Sequence, residues 1–240
     1  CIIIDHLYLE KSDRKMLAEN LKVIRKEIAA ALDRAGRTGE KVRLVAVTKT
    51  VGSDQVREAV ALGLRDFGEN RFQEARPKLQ LFPNLRWHFI GHLQTNKAKD
   101  VLASFDLIHS LDRYSLARTL QRRAERLDTE ARCLLQLNIS GEKSKSGLAA
   151  GELPDFLDAL RDFNRIKVEG LMTMAPWSVD PEEARPVFRR LRELQQAHAR
   201  PGMELKELSM GMTNDYTVAV EEGATMVRLG TALFGARPEQ

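Results

Sequence analysis

Apolar residues recur at spacings of three and four through Leu17, Leu21, Ile24, Ile28 and Leu32. That spacing places them on one face of a helix, so the N-terminal stretch is expected to be a long amphipathic helix. Ala29, Ala30 and Ala31 raise its helix propensity, and Gly36 is its expected stop. Residues 1–12 are expected to form an N-terminal extension and residues 13–240 a single domain. From Leu44 the pattern changes. Short runs such as Leu44-Val45-Ala46-Val47 are apolar at successive positions and rich in β-formers, as parallel strands covered on both faces are. Strands are predicted at 44–47, 66–69, 87–91, 107–111, 133–139, 168–173, 207–211 and 226–229. Helices are predicted between them at 53–64, 70–81, 95–103, 113–127, 152–163, 181–199 and 214–222. Asp180-Pro181-Glu182-Glu183 reads as a helix start: a capping acid, proline in the first turn, then acids at the positive dipole end. Pro186, one turn later, implies a kink or a late start. Eight strand–helix units in about 200 residues predict an α/β fold, a (β/α)8 TIM barrel with an additional N-terminal helix. An open, doubly wound sheet is the alternative.

Composition narrows the function. With 43% hydrophobic and 30% charged residues the chain is not of the disordered class. No run approaches the roughly 18 apolar residues of a membrane span, so a cytoplasmic protein without membrane contact is expected. Two cysteines, Cys1 and Cys133, make neither a disulfide scaffold nor a cysteine-rich zinc module. The 38 Lys and Arg against 34 Asp and Glu leave a net charge of +4, with both signs interspersed, and aromatics are only 6%. No nucleic-acid partner is expected from that surface. His88 and His92 share a strand face by spacing, yet no acid or thiol beside them suggests a metal site.

In parallel barrels, functional side chains sit where strands end and loops begin. The predicted strand ends carry Lys49, Asn70, His92, Ser110, Asn138, Thr173, Ser209, and Arg228 with Gly230 and Thr231. Lys49 directly follows an apolar strand, so its amine is expected at the barrel mouth and partly desolvated. Desolvation favours the neutral amine, which attacks carbonyls. Residues 209–212 (SMGM) and 227–231 (VRLGT) follow the last two strands, where barrels commonly bind phosphate through backbone N–H groups. Gly230 would let the backbone approach an anion closely. A lysine that forms imines opposite a phosphate cradle suggests a phosphorylated aldehyde. Two readings fit: a cofactor-free Schiff-base aldolase acting on a sugar phosphate, or pyridoxal phosphate held covalently.

Several segments resemble one family. They are residues 44–50 (LVAVTKT), 67–74 (FGENRFQE), 87–97 (WHFIGHLQTNK), 108–111 (IHSL), 137–147 (LNISGEKSKSG), 170–174 (GLMTM), 208–215 (LSMGMTND) and 227–235 (VRLGTALFG). In this order they resemble the pyridoxal phosphate homeostasis proteins, also called the YggS or PROSC family, over residues 14–237. That family is similar in fold to the N-terminal barrel of alanine racemase. The resemblance implies that Lys49 carries pyridoxal 5'-phosphate as a Schiff base. It implies that Ser209, Gly230 and Thr231 hold the phosphate, with Met210 and Gly211 beside it. Arg228 would face the pyridine nitrogen, and Asn70 and His92 would lie near the ring. Lys145 matches a lysine of the loop that the family resemblance links to cofactor exchange. One departure stands out: most members carry a second lysine two residues after the first, where this chain has Val51, and Thr48 replaces a serine.

The resemblance also bears on carrier against enzyme. An arginine at the pyridine nitrogen disfavours its protonation, and an unprotonated ring is a poorer electron sink. Racemisation tolerates such an arginine but needs a second acid–base group, which racemases take from a further C-terminal domain. The chain as given ends at Gln240, soon after the last predicted strand, so that domain is expected to be missing; Tyr216 is the nearest substitute. The expectation is a carrier that sequesters pyridoxal phosphate and passes it to apoenzymes, a monomer or weak dimer. The alternative is an amino-acid racemase of low activity.

Overall fold

The computed structural model describes residues 2–142 and 145–235, with side chains from Met16 onward. Eight parallel strands close into a barrel: β1 (Arg43–Val47), β2 (Asp66–Glu69), β3 (Arg86–Phe89), β4 (Leu107–Leu111), β5 (Ala131–Asn138), β7 (Ile166–Met172), β8 (Glu207–Ser209) and β9 (Met226–Leu229). Each pairs with its sequence neighbour in the ring, β5 pairs with β7, and β9 returns to β1 with Val45 opposite Arg228. The two-residue strand β6 (Leu148–Ala149) adds to the end of β5 beside Leu137 and Asn138. This is the (β/α)8 architecture that the alternation implied.

The helices wrap the barrel. They are α1 (Ile2–Arg34), α2 (Ser53–Ala61), α3 (Phe72–Leu81), α4 (Ala98–Leu102), α5 (Tyr114–Leu127), α6 (Leu153–Ala159), α7 (Arg185–His198), α8 (Tyr216–Glu221) and α9 (Thr231–Phe234). The α1 face predicted from spacing is buried at Leu17, Leu21, Ile24, Ile28 and Leu32, and α1 packs on α8 and α9. Burying each such side chain contributes about 1.5–3 kcal/mol. Helical backbone continues through residues 2–12, the stretch read as an extension. No helix among the described residues is long and apolar enough to cross a membrane.

Several boundaries differ from the pattern. The helix expected from Pro181 begins as a 3-10 turn, Pro181–Ala184, and becomes α-helical only at Arg185. Pro186 then falls in the first turn of α7, where its missing N–H leaves no bond unmade. Asp180 caps the turn as expected, its carboxylate accepting from Glu182 N at 3.0 Å. Helix α2 ends at Ala61, not residue 64, and Gly52 is its N-cap. Strand β3 stops at Phe89, not residue 91, and β8 stops at Ser209, not residue 211. Short α9 was not anticipated.

The barrel has two apolar compartments. The larger lies between strands and helices and contains Phe67, Trp87, Ile108 and Leu135. The smaller contains Val45, Leu107, Leu134, Met172 and Met226. These five alternate with the outward set along their strands, which places them in the barrel interior.

Candidate functional site

A cavity of about 480 Å³ opens at the C-terminal ends of the strands. Its wall brings together Val47 at the end of β1 and Lys49 after it, Asn70 after β2, and Arg228, Gly230 and Thr231 from β9 and its loop. Five of the expected site residues therefore meet: Lys49, Asn70, Arg228, Gly230 and Thr231. The others do not line it. Ser209 and Met210 are wholly buried. The Ser209 hydroxyl is engaged by His109 at 2.9 Å and Arg228 at 2.6 Å. Gly211 has φ +91°, and a Cβ there would stand 2.6 Å from the Ala219 Cβ, so it is needed for packing against α8.

His92 also lies outside the cavity wall. The spacing argument put it on the same strand face as His88, but β3 ends before it. His88 points into the barrel, whereas His92 is exposed with Nδ1 3.8 Å from Asp112. Lys145 lies in the loop after β5, its amine 3.2 Å from Glu142. Asn138 organises that loop by donating to the carbonyls of Glu142 and Lys145 at 2.9 and 3.2 Å. Residues 143–144 of the loop lie outside the described residues. Thr173 donates to the Leu137 carbonyl at 2.9 Å, and Ser110 is wholly buried; neither reaches the cavity.

Lys49 departs from expectation in one respect. It is exposed, on the turn after β1, so the protein alone does not desolvate its amine. The turn itself is firmly built. Thr48 donates its hydroxyl to Glu69 Oε1 at 2.6 Å, and the same oxygen accepts from Lys78 Nζ at 2.7 Å. Lys78 also donates to the Thr48 carbonyl at 2.6 Å. Thr50 takes φ +66°, a conformation that β-branched residues rarely adopt. Val51, which stands where most family members have a second lysine, packs partly buried on the core. Asn70 is placed by close approach of two loops: a Cβ at Gly91 would fall 2.1 Å from the Asn70 carbonyl.

Arg228 is the opposite case. It is 4% exposed, and its guanidinium donates to Ser209 Oγ at 2.6 Å and the Thr173 carbonyl at 2.9 Å. Burial pulls its pKa down to about 10, a shift that the nearby Asp215 charge opposes, so it remains a cation at neutral pH. Burial in turn raises the Asp215 carboxyl, against the hydrogen bond from Met212 N and the charge of Arg228.

The rest of the wall was not anticipated. After β7 it includes Met174, Ala175, Pro176, Trp177 and Ser178, and after β8 Met212, Thr213, Asn214 and Asp215. Asn214 donates to the Ser178 carbonyl at 2.6 Å and ties these two loops together. Thr213 Oγ1 accepts from Ala232 N at 3.2 Å, joining the loop after β8 to α9. Polar residues just beyond a predicted strand end, such as Thr213 and Asn214, were the available signal.

The wall suits a phosphorylated aromatic aldehyde. It offers an accessible amine, a buried cation on the floor, and hydroxyls at Thr213 and Thr231. A Cβ at Gly230 would meet Val47 only at an ordinary 3.5 Å, so packing within the chain does not itself require glycine beside the cavity.

Known proteins share this framework. Residues 13–238 match the family model of the alanine racemase N-terminal domain. The pyridoxal phosphate homeostasis protein of Aquifex aeolicus is 42% identical over 222 residues, 91% of this chain and 97% of that protein. PipY of Synechococcus elongatus, in a structure with PLP bound, superposes with a TM-score of 0.77 at 38% identity, covering 91% of this chain and all of that one. An alanine racemase of Clostridium difficile shares the fold at 16% identity and a TM-score of 0.73, this chain spanning 58% of its length. The chain belongs to the pyridoxal phosphate homeostasis protein family, within the alanine racemase N-terminal-domain fold.

Proposed function

We propose that this protein holds pyridoxal 5'-phosphate as a Schiff base on Lys49 and serves cytoplasmic cofactor and amino-acid homeostasis as a carrier. The observation that carries this reading is the pairing of exposed Lys49 with buried, cationic Arg228 across one cavity. The likeness to PipY with PLP bound supports it. When bound, pyridoxal phosphate supplies an aldehyde that an amine can capture and a ring that withdraws electrons once protonated. Lys49 would offer the amine for that aldehyde, whose oxygen would leave as water. Thr213, Gly230 and Thr231 would hold the phosphate. Arg228 would oppose a second positive charge on the ring, which would restrain carbanion chemistry.

The racemase alternative finds little support in the wall. Tyr216, the nearest substitute for a second acid–base group, is mostly buried and donates to Glu27 on α1, not into the cavity. Burial and Glu27 both raise its pKa, which suits a structural phenol.

The carrier function is tested by mixing the loaded protein with a pyridoxal phosphate-dependent apoenzyme and an excess of a free-aldehyde trap. The carrier reading expects the apoenzyme to gain activity despite the trap. Complete interception by the trap would contradict delivery. Deuterium exchange at the α-carbon of amino acids, lost in Lys49→Ala, would instead favour a racemase.

A further inference from the structure

A line of polar side chains runs through the barrel interior. Asp66 Oδ1 lies 3.1 Å from His88 Nε2, and His88 Nδ1 lies 2.9 Å from His109 Nε2. His109 Nδ1 lies 2.9 Å from Ser209 Oγ, which accepts from Arg228 at 2.6 Å. All five residues are buried, His109 and Ser209 wholly. At the far end Asp66 takes two hydrogen bonds from Arg86, at 2.8 and 2.6 Å. At the near end Arg228 lines the cavity. Barrel interiors are ordinarily filled by branched apolar side chains. Buried polar groups are costly unless each is hydrogen-bonded, so packing alone does not account for the line.

The inventory of protons gives the line a direction. Burial would raise the Asp66 carboxyl, but the hydrogen bonds from Arg86 and His88, with the charge of Arg86, outweigh it and bring the pKa to about 2. An ionised carboxylate only accepts, so His88 Nε2 donates to it. Burial, then the charges of Arg228 and Arg43, push His109 well below its ordinary pKa and keep it neutral. Only one of its nitrogens then carries hydrogen. With hydrogen on Nε2, His109 donates to His88 Nδ1, its own Nδ1 accepts from Ser209, and Ser209 accepts from Arg228. Each proton in the line finds an acceptor, and every bond points toward Asp66. With hydrogen on Nδ1, His88 must donate from both nitrogens as a buried imidazolium. Ser209 would then receive two donors while its own proton has no acceptor in the line.

We propose that Ser209, His109, His88 and Asp66 are positioning residues that hold Arg228 as a fixed donor at the cavity, through a one-directional line of hydrogen bonds whose polarity is set by Asp66. This rests on the reading that Arg228 faces the cofactor ring. An arginine held in this way stays in place when the cofactor enters or leaves, so the ring nitrogen meets the same cation at each exchange.

Long-range 15N–1H correlation spectra of the histidine rings test the line in the cofactor-free protein at neutral pH. The expected result is the Nε2–H tautomer for both His88 and His109, with both Nδ1 atoms unprotonated. An imidazolium at His88, or Nδ1–H at His109, would overturn the proposal. The second arm is Asp66→Asn, whose amide can donate to His88 Nε2 and so removes the fixed polarity. The folded variant is expected to redistribute the histidine tautomers, shift the absorption maximum of bound pyridoxal phosphate, and weaken its binding about tenfold, the scale of one hydrogen bond. Asp66→Glu, which restores a carboxylate, is expected to recover the wild-type tautomers and spectrum. Unchanged tautomers and an unchanged spectrum in Asp66→Asn would overturn the proposal. If wild-type protein fails to bind pyridoxal phosphate, the proposed function falls, while the tautomers of the cofactor-free protein still decide the line.

Discussion

Lys49 and Arg228 face the same cavity and could hardly be held more differently. Lys49 is exposed, and among the described residues its amine makes neither a hydrogen bond nor an ion pair. Arg228 is buried and donates to two acceptors, Ser209 and the Thr173 carbonyl, and Ser209 is joined in turn to His109, His88 and Asp66. The contrast separates two tasks. A group that must capture and release an aldehyde has to sample solvent and keep its side-chain freedom. A cation that sets the electronic character of a bound ring has to be in place beforehand, because preorganised charge costs no rearrangement when the ligand arrives. The turn beneath Lys49 is rigid all the same, since Thr48, Glu69 and Lys78 are bonded to one another. The freedom therefore belongs to the lysine side chain rather than to its backbone.

This contrast can be broken from either side. The largest functional effect is expected from Lys49→Ala, which should abolish covalent capture of pyridoxal phosphate while changing stability by no more than about 0.5 kcal/mol, as exposed substitutions usually do. Absorption spectra and urea unfolding check the two halves. Arg228→Leu should do the reverse in stability. It leaves the Thr173 carbonyl and Ser209 without their donor, and a loss of about 2–4 kcal/mol in urea unfolding is expected.

A third effect is pH-dependent. The Asp66 carboxyl falls from its ordinary 3.8 to about 2 in the folded protein. A depressed carboxyl contributes stability above its unfolded pKa and loses it as pH falls through the folded one. About 2 kcal/mol should therefore disappear between pH 4 and pH 2. Acid-unfolding curves of Asp66→Asn should lack that component. The smallest effect is expected at Thr50. Thr50→Gly relieves the left-handed backbone at φ +66° and should raise stability by about 0.5–1 kcal/mol, measured as the urea midpoint. A loss there would mean that the turn depends on the threonine side chain.

The barrel was largely legible because its strands are buried on both faces and so appear as apolar runs between helical spacings. Lys49, Asn70, Arg228, Gly230 and Thr231 were legible for the related reason that strand ends converge at one mouth. Loop residues were not, since nothing in the pattern of strands says how the loops after β7 and β8 fold back. Trp177 and Asn214 therefore entered the wall unannounced. His92 was not legible because β3 ends at Phe89, and beyond a strand's end the alternation no longer says which side a residue faces. The interior line was missed for a different reason. His88 and His109 look like polar interruptions of apolar strands when each strand is considered alone. The alternation contained the signal: Asp66 with Gly68, Leu107 with His109 and Met226 with Arg228 share the inward face of their strands, and His88 alternates with the outward Trp87 and Phe89. The partnership between them, completed by Ser209 on β8, exists only once five strands are brought together by closure of the ring.

Borohydride reduction of the pyridoxal phosphate-loaded protein, followed by peptide mass mapping, tests the central claim most directly. The account predicts one reduced adduct, on the peptide containing Lys49, and none in Lys49→Ala. An adduct on another lysine with Lys49 unmodified, or no adduct on a protein that binds the cofactor tightly, would contradict it.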